Sequence, residues 1–161
     1  MGERAGTPFS SRRSCENGWN HDMNEEKLDL VLIKYRLEQA DDSLMDAKVL
    51  LDSQRTPQSI VNRAYYAMFY AALALLQKIR KVPRKHRGVL SLFDTEFVLK
   101  GLFPKYLSKD FHEIFELRQV SDYQITEKIT MEKAEKTLIS ARNFVQEVKT
   151  YLLSDQTSEE E

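Results

Sequence analysis

Residues 59–79 read SIVNRAYYAMFYAALALLQKI, and this stretch decides the fold. Thr56 can cap the segment, and Pro57 takes the first helical position, where a missing N–H costs nothing. Apolar side chains run almost all the way round the helix. That pattern predicts a central element, buried on most sides. Its longest apolar run, Ala67–Leu76, is too short for a bilayer, which needs about 20 residues.

Helical periodicity continues outward in both directions. Before the central helix, Leu30, Ile33, Leu37, Ala40, Leu44, Ala47 and Leu51 recur at alternating spacings of 3 and 4, the seam of a long packed helix. After it come Leu90, Phe93 and Phe97, stopped by Gly101. A fourth stripe is Leu107, Phe111 and Ile114. The fifth, after Thr130 as cap, is Ala134, Leu138, Ala141, Val145, Val148 and Leu152. The spacing predicts helices near 24–54, 57–81, 87–100, 105–122 and 130–153, with no strand. The expected architecture is an all-α, five-helix up-and-down bundle. Residues 1–22 hold three of the five glycines and no periodicity, so they read as a disordered or loosely attached tail. Met23 opens the helical region and would serve as an alternative start. The domain is expected over 23–153, with 154–161 as a disordered acidic tail.

The composition, 161 residues with 42% hydrophobic and 30% charged, is that of one soluble globular domain. Net charge is −1; the tail 1–22 balances to zero and 154–161 carries −4, leaving +3 for 23–153. That is too weakly basic to announce a nucleic-acid binder by itself. A lone cysteine, Cys15, excludes an intrachain disulfide and a cysteine metal site. His21, His86 and His112 are scattered, and no HExxH or paired ExxH pattern occurs. Phosphate-loop, dinucleotide-binding and nucleophile-elbow motifs are also missing. No metal or cofactor is expected. Without a secretory apolar region or a membrane span, a cytoplasmic protein is expected.

Three polar groups remain as candidates for chemistry. Arg118 continues the buried stripe 107–111–114, where a charge must be paired or reach a cleft. Asp122, one turn on, is a suitable partner, with Tyr123 beside it. Asn62, Arg63, Tyr65 and Tyr66 lie inside the most buried helix and need hydrogen-bond partners. They either lie near solvent at the helix start or face Arg118 and Asp122 across a cleft. Third, KIRKVPRKHR (78–87) holds six cations and no acid. Pro83 makes it a connector whose Lys81, Arg84, Lys85 and Arg87 can track a phosphate backbone, with His86 available for proton transfer. The plainer alternative is a solvated basic loop. His112, flanked by Asp110 and Glu113, reads as a surface histidine.

NRAYYAMFYAALALL, KHRGVLSLF, EFVLKGLFP and FELRQVSDY, in this order, resemble the HEPN domain, most closely its small stand-alone bacterial and archaeal branch. The resemblance covers about residues 24–152. It implies a five-helix bundle, usually a homodimer, and a role with RNA or nucleotides. Many HEPN proteins are metal-independent ribonucleases, often toxins, encoded beside a minimal nucleotidyltransferase antitoxin. Their motif is an arginine followed after four to six residues by a histidine. Here Arg118 is followed at those positions by Tyr123, Gln124 and Ile125, so the motif histidine is absent. Ile125 also stands where a related pattern places a modifiable tyrosine. Leu117, Arg118, Asp122 and Tyr123 match an LRxxxDY variant of the branch. An ordinary tyrosine, with pKa about 10, is a poor base at neutral pH. Asp122 would be a better one, though pairing with Arg118 lowers its basicity. Three readings stand: an RNA-cleaving or RNA-binding toxin-like effector, a non-catalytic dimeric adaptor for a nucleotidyltransferase or its substrate, and a structural bundle without ligand.

Overall fold

The computed structural model describes the backbone of residues 16–123 and 128–158 and the side chains of 21–120 and 128–155. Five helices make up the described chain: α1 (Glu16–Asp52), α2 (Pro57–Lys78), α3 (His86–Phe93), α4 (Lys105–Tyr123) and α5 (Met131–Ser158). No strand occurs among the described residues. None of the helices is long and apolar enough to cross a membrane.

Helix α2 is the hub, as its composition predicts. Ile60, Val61, Ala64, Tyr65, Ala67, Met68 and every residue from Ala71 to Leu76 are buried. It packs against each of the other four helices. Small side chains allow the close approach to α1, where Ala40 and Ala47 are fully buried and Ser43 nearly so. On the other side α3, α4 and α5 join through an aromatic cluster. Phe144 lies 5.1 Å from Phe93 and 5.0 Å from Phe111, ring centre to ring centre, and Phe103 lies 5.1 Å from Tyr151. Such pairs contribute about 0.5–1.5 kcal/mol each beyond their burial.

Several boundaries differ from expectation. Helix α1 begins at Glu16, so residues 16–22 are helical where a loose tail is expected. Leu30, placed on the core seam by spacing, is 52% exposed, and the seam begins at Ile33. Thr56 stands at the head of α2, but its hydroxyl bonds Ser59 Oγ at 2.7 Å while its carbonyl accepts from Ser59 and Ile60. Thr130 does cap α5: its hydroxyl accepts from the Lys133 N–H at 3.1 Å. Helix α5 runs on to Ser158, and Asp155, expected in a free acidic tail, pairs with Lys78.

Helix α3 does not run evenly to Gly101. It continues as a π-helical turn, Asp94–Val98, in which the Leu99 N–H reaches the Asp94 carbonyl at 2.8 Å. Gly101, at φ +77°, then ends it: its N–H bonds the Val98 carbonyl and the Leu102 N–H bonds that of Phe97. The same end geometry closes α2 at Arg80, which takes φ +56° without being glycine. Arg80 Nε donates to Asp29 at 2.7 Å, so an ion pair to α1 supports that conformation.

Candidate functional site

The site is built where α2, the start of α3 and α4 meet. Tyr65, Tyr66 and Phe69 point from α2 to the side where α3 begins and α4 passes. Tyr65 is fully buried, while Tyr66 and Phe69 are half-buried. Arg118 comes from α4. Its guanidinium carbon lies 5.1 Å from the ring centres of both Tyr65 and Tyr66, and Nη2 donates to the Tyr66 hydroxyl at 3.3 Å. Arg63 lies 5.1 Å from the Tyr66 ring and donates to Asn62 Oδ1 at 3.1 Å. Two guanidiniums therefore attend one tyrosine, and the buried-stripe arginine is accommodated by π faces. Asn62, Arg63, Tyr66 and Arg118 form a chain of contacts centred on Tyr66. Asp122 and Tyr123 belong to the last turn of α4. Their side chains, and with them the expected Arg118–Asp122 pair, lie outside the described residues.

His86 is the first residue of α3 and is not a free connector residue. Its ring stacks on Phe69 at 4.3 Å with an interplanar angle of 11°. Nδ1 lies 2.9 Å from the Tyr65 hydroxyl, either group donating according to the imidazole tautomer. Burial, and then the positive charge of Arg118, push the imidazole below its ordinary pKa, so it is neutral at pH 7. Burial raises the Tyr65 phenol, with Arg118 opposing, so Tyr65 stays protonated. If Nδ1 carries the proton toward Tyr65, Nε2 is left as an acceptor. Phe69 is the site member that sequence reasoning missed. Its signal is the i, i+4 spacing to Tyr65 on a polar-flanked turn of α2.

The basic connector divides into two halves. Lys78 pairs with Asp155, Arg80 with Asp29 and Glu25, and Lys81 with Glu96 at 2.5 Å. Hydrogen bonds from Lys100 and Lys81 hold the Glu96 carboxyl down to about 2. Arg84, Lys85 and Arg87 are exposed and have no carboxylate partner among the described residues. Half of the expected cationic stretch is thus neutralised within the chain, Lys81 included. Gly88 sets where this connector lies. A Cβ there would stand 2.9 Å from Pro83 Cβ, closer than two carbons pack.

His112 is no idle surface histidine. Its Nε2 lies 2.7 Å from Asp94 Oδ2, and Ser108 Oγ donates to Asp94 Oδ1 at 2.5 Å. This group ties the π turn to α4 beside a groove of about 390 Å³ lined by Arg87, Asp94, His112 and Gln119. On α1, the exposed His21, Asp22 and Glu25 bring three ligand-capable atoms within 4.8 Å.

The sequence matches the HEPN domain over residues 33–151. The chain belongs to the HEPN domain family. It is 43% identical over 101 residues to a UPF0332 protein of Thermotoga maritima, covering 63% of this chain and 74% of that one. Two Methanocaldococcus jannaschii proteins named as candidate toxins are also similar. One is 35% identical over 133 residues, covering 83% of this chain and 93% of its own. The other is 36% identical over 118 residues, covering 73% and 80%. The HEPN match takes in all of α2, α3 and α4, hence every side chain of the cluster around Arg118.

Proposed function

We propose that this chain is a toxin-like HEPN effector that binds and cleaves RNA without a metal, within a pair whose other member is a minimal nucleotidyltransferase. The observation that carries the reading is the cluster of Arg118 and a neutral His86 around Tyr65 and Tyr66. The HEPN motif histidine is absent after Arg118, and His86 supplies an imidazole from α3 that feels the charge of Arg118. Arg118 binds the phosphate and stabilises the charge that develops on it. The 2′-hydroxyl oxygen attacks phosphorus, and its proton passes to His86 Nε2. The P–O5′ bond breaks as the departing oxygen takes a proton from the imidazolium or from water. The products are a 2′,3′-cyclic phosphate and a 5′-hydroxyl. Asp122 is the alternative proton carrier, with Tyr123 beside it, in the LRxxxDY variant of the stand-alone branch. Arg84, Lys85 and Arg87 hold the neighbouring phosphates.

The adaptor reading has its own support. Three of the six connector cations are tied to the chain's own carboxylates, which reduces the footprint offered to RNA. The deciding experiment incubates purified protein with total RNA in the presence of a chelator. Cleavage to cyclic-phosphate ends that is lost in Arg118→Ala supports the effector. Intact RNA, together with a stable complex with the nucleotidyltransferase encoded alongside, would overturn it in favour of the adaptor.

A further inference from the structure

Helix α1 carries a second apolar row on the face opposite the core. Leu28, Val31, Tyr35, Met45 and Val49 are 58%, 64%, 52%, 65% and 55% exposed. Together with Glu38 and Asp42 they keep the alternating 3 and 4 spacing from 28 to 49, which places them on one stripe. The buried row of the same helix, Ile33, Ala40 and Ala47, lies half a turn away. Scattered exposed apolar side chains are ordinary, whereas an ordered row about 30 Å long marks an interaction surface. Glu38 and Asp42 interrupt the row at its centre, and Asp46 flanks it. All three are exposed and have no ion-pair partner among the described residues. Their neighbours Asp41 and Asp52 are held by Lys149 and Lys48.

We infer that this outer face of α1 docks an amphipathic helix of another protein, one that presents aliphatic side chains to both ends and lysine or arginine to Glu38 and Asp42. Charge decides against a second copy of this chain. Paired antiparallel, Glu38 of one copy meets Asp42 of the other; paired parallel, each acid meets itself. Either way four carboxylates share one seam. A cationic helix turns the same centre into ion pairs, and polar groups at the middle of a seam fix register and partner. The docking face is independent of any action on RNA.

The test titrates the full chain with two labelled helical peptides, read by fluorescence anisotropy. Both carry leucine along the seam; one has lysine at the two central seam positions and the other glutamate. The lysine peptide is expected to bind roughly tenfold tighter or better, a difference of about 1.4 kcal/mol. Glu38→Lys with Asp42→Lys should reverse the preference. Val31→Ser with Met45→Ser should remove binding while leaving the melting curve in place, since both side chains are exposed. Failure of the lysine peptide to bind, or equal binding of both, would overturn the inference. So would self-association of the chain that Val31→Ser with Met45→Ser abolishes, which would assign the face to a second copy.

Discussion

At Arg118 one guanidinium is held by two aromatic rings and a hydroxyl. Cation–π contacts of this kind contribute about 0.5–2 kcal/mol. Arg118→Ala should therefore fold, with a stability loss of about 1–3 kcal/mol. It should lose RNA cleavage or toxicity altogether. Arg118→Lys should rescue little, because an ammonium lacks the planar fork that spans a phosphate. Unchanged cleavage by Arg118→Ala, measured on purified protein, would remove Arg118 from the chemistry. His86 makes a second prediction, with a sign. Its imidazole is held below the ordinary value of about 6.5, so on acidification the unfolded chain takes up a proton before the folded one does. Stability should fall as pH drops from about 6.5 toward the lowered folded value, and His86→Gln should flatten that limb. Denaturant melts between neutral and mildly acidic pH check this. Tyr65→Phe removes the hydroxyl at Nδ1 and should move the acid limb of cleavage without unfolding the chain. An identical pH profile for wild type and Tyr65→Phe would detach His86 from proton transfer.

Elements, rather than residues, decide how much of the site a sequence reveals. Arg118 and Tyr66 are legible because a charge on an apolar stripe and a hydroxyl in a buried helix each demand a partner. His86 is legible as a titrating group but not in its place beside Tyr65, because that depends on how the chain turns between α2 and α3. That turn rests on a left-handed Arg80 tied to α1 and on Gly88 packed against Pro83. No local propensity announces either contact. The π turn that delivers Asp94 to His112 is equally silent, since one extra residue per turn leaves the hydrophobic spacing of α3 almost unaltered. What remains legible in the connector is its charge. Alanine at Arg84, Lys85 and Arg87 together should weaken RNA binding and flatten its dependence on salt, with thermal stability within about 0.5 kcal/mol per site. Equal affinity and equal salt slope would take the connector out of the interface. Gly88→Ala should act differently. It forces Pro83 away, so it should disturb His86 and lower cleavage while leaving the three cations in place. Unaltered activity in Gly88→Ala would mean that the α2–α3 turn does not position the imidazole.

For the whole molecule the five helices answer a question that the sequence poses with its aromatic residues. Phe103, Phe111 and Phe115 read in sequence as more apolar mass than one bundle edge can hide, which argues for a dimer there. In the structure they are 5%, 0% and 6% exposed within the single chain. The hydrophobic drive for pairing at that edge is therefore smaller than expected. In the homodimer that the HEPN resemblance implies, a two-fold axis near the end of α4 would bring two Arg118 side chains toward one shared cleft. A bound phosphodiester between them converts repulsion into two charge-assisted contacts. The proposed dimer should accordingly be weak in the free protein and strengthened by RNA. In sedimentation velocity, a short RNA should move wild type toward the dimer at micromolar protein and leave Arg118→Ala unmoved. Val31→Ser with Met45→Ser should dimerise like wild type, since the outer row of α1 lies away from the Arg118 edge. A wild-type chain that stays monomeric at every concentration with RNA present would sink the shared cleft. The single-chain cluster of Arg118, Tyr65, Tyr66 and His86 would then have to act alone.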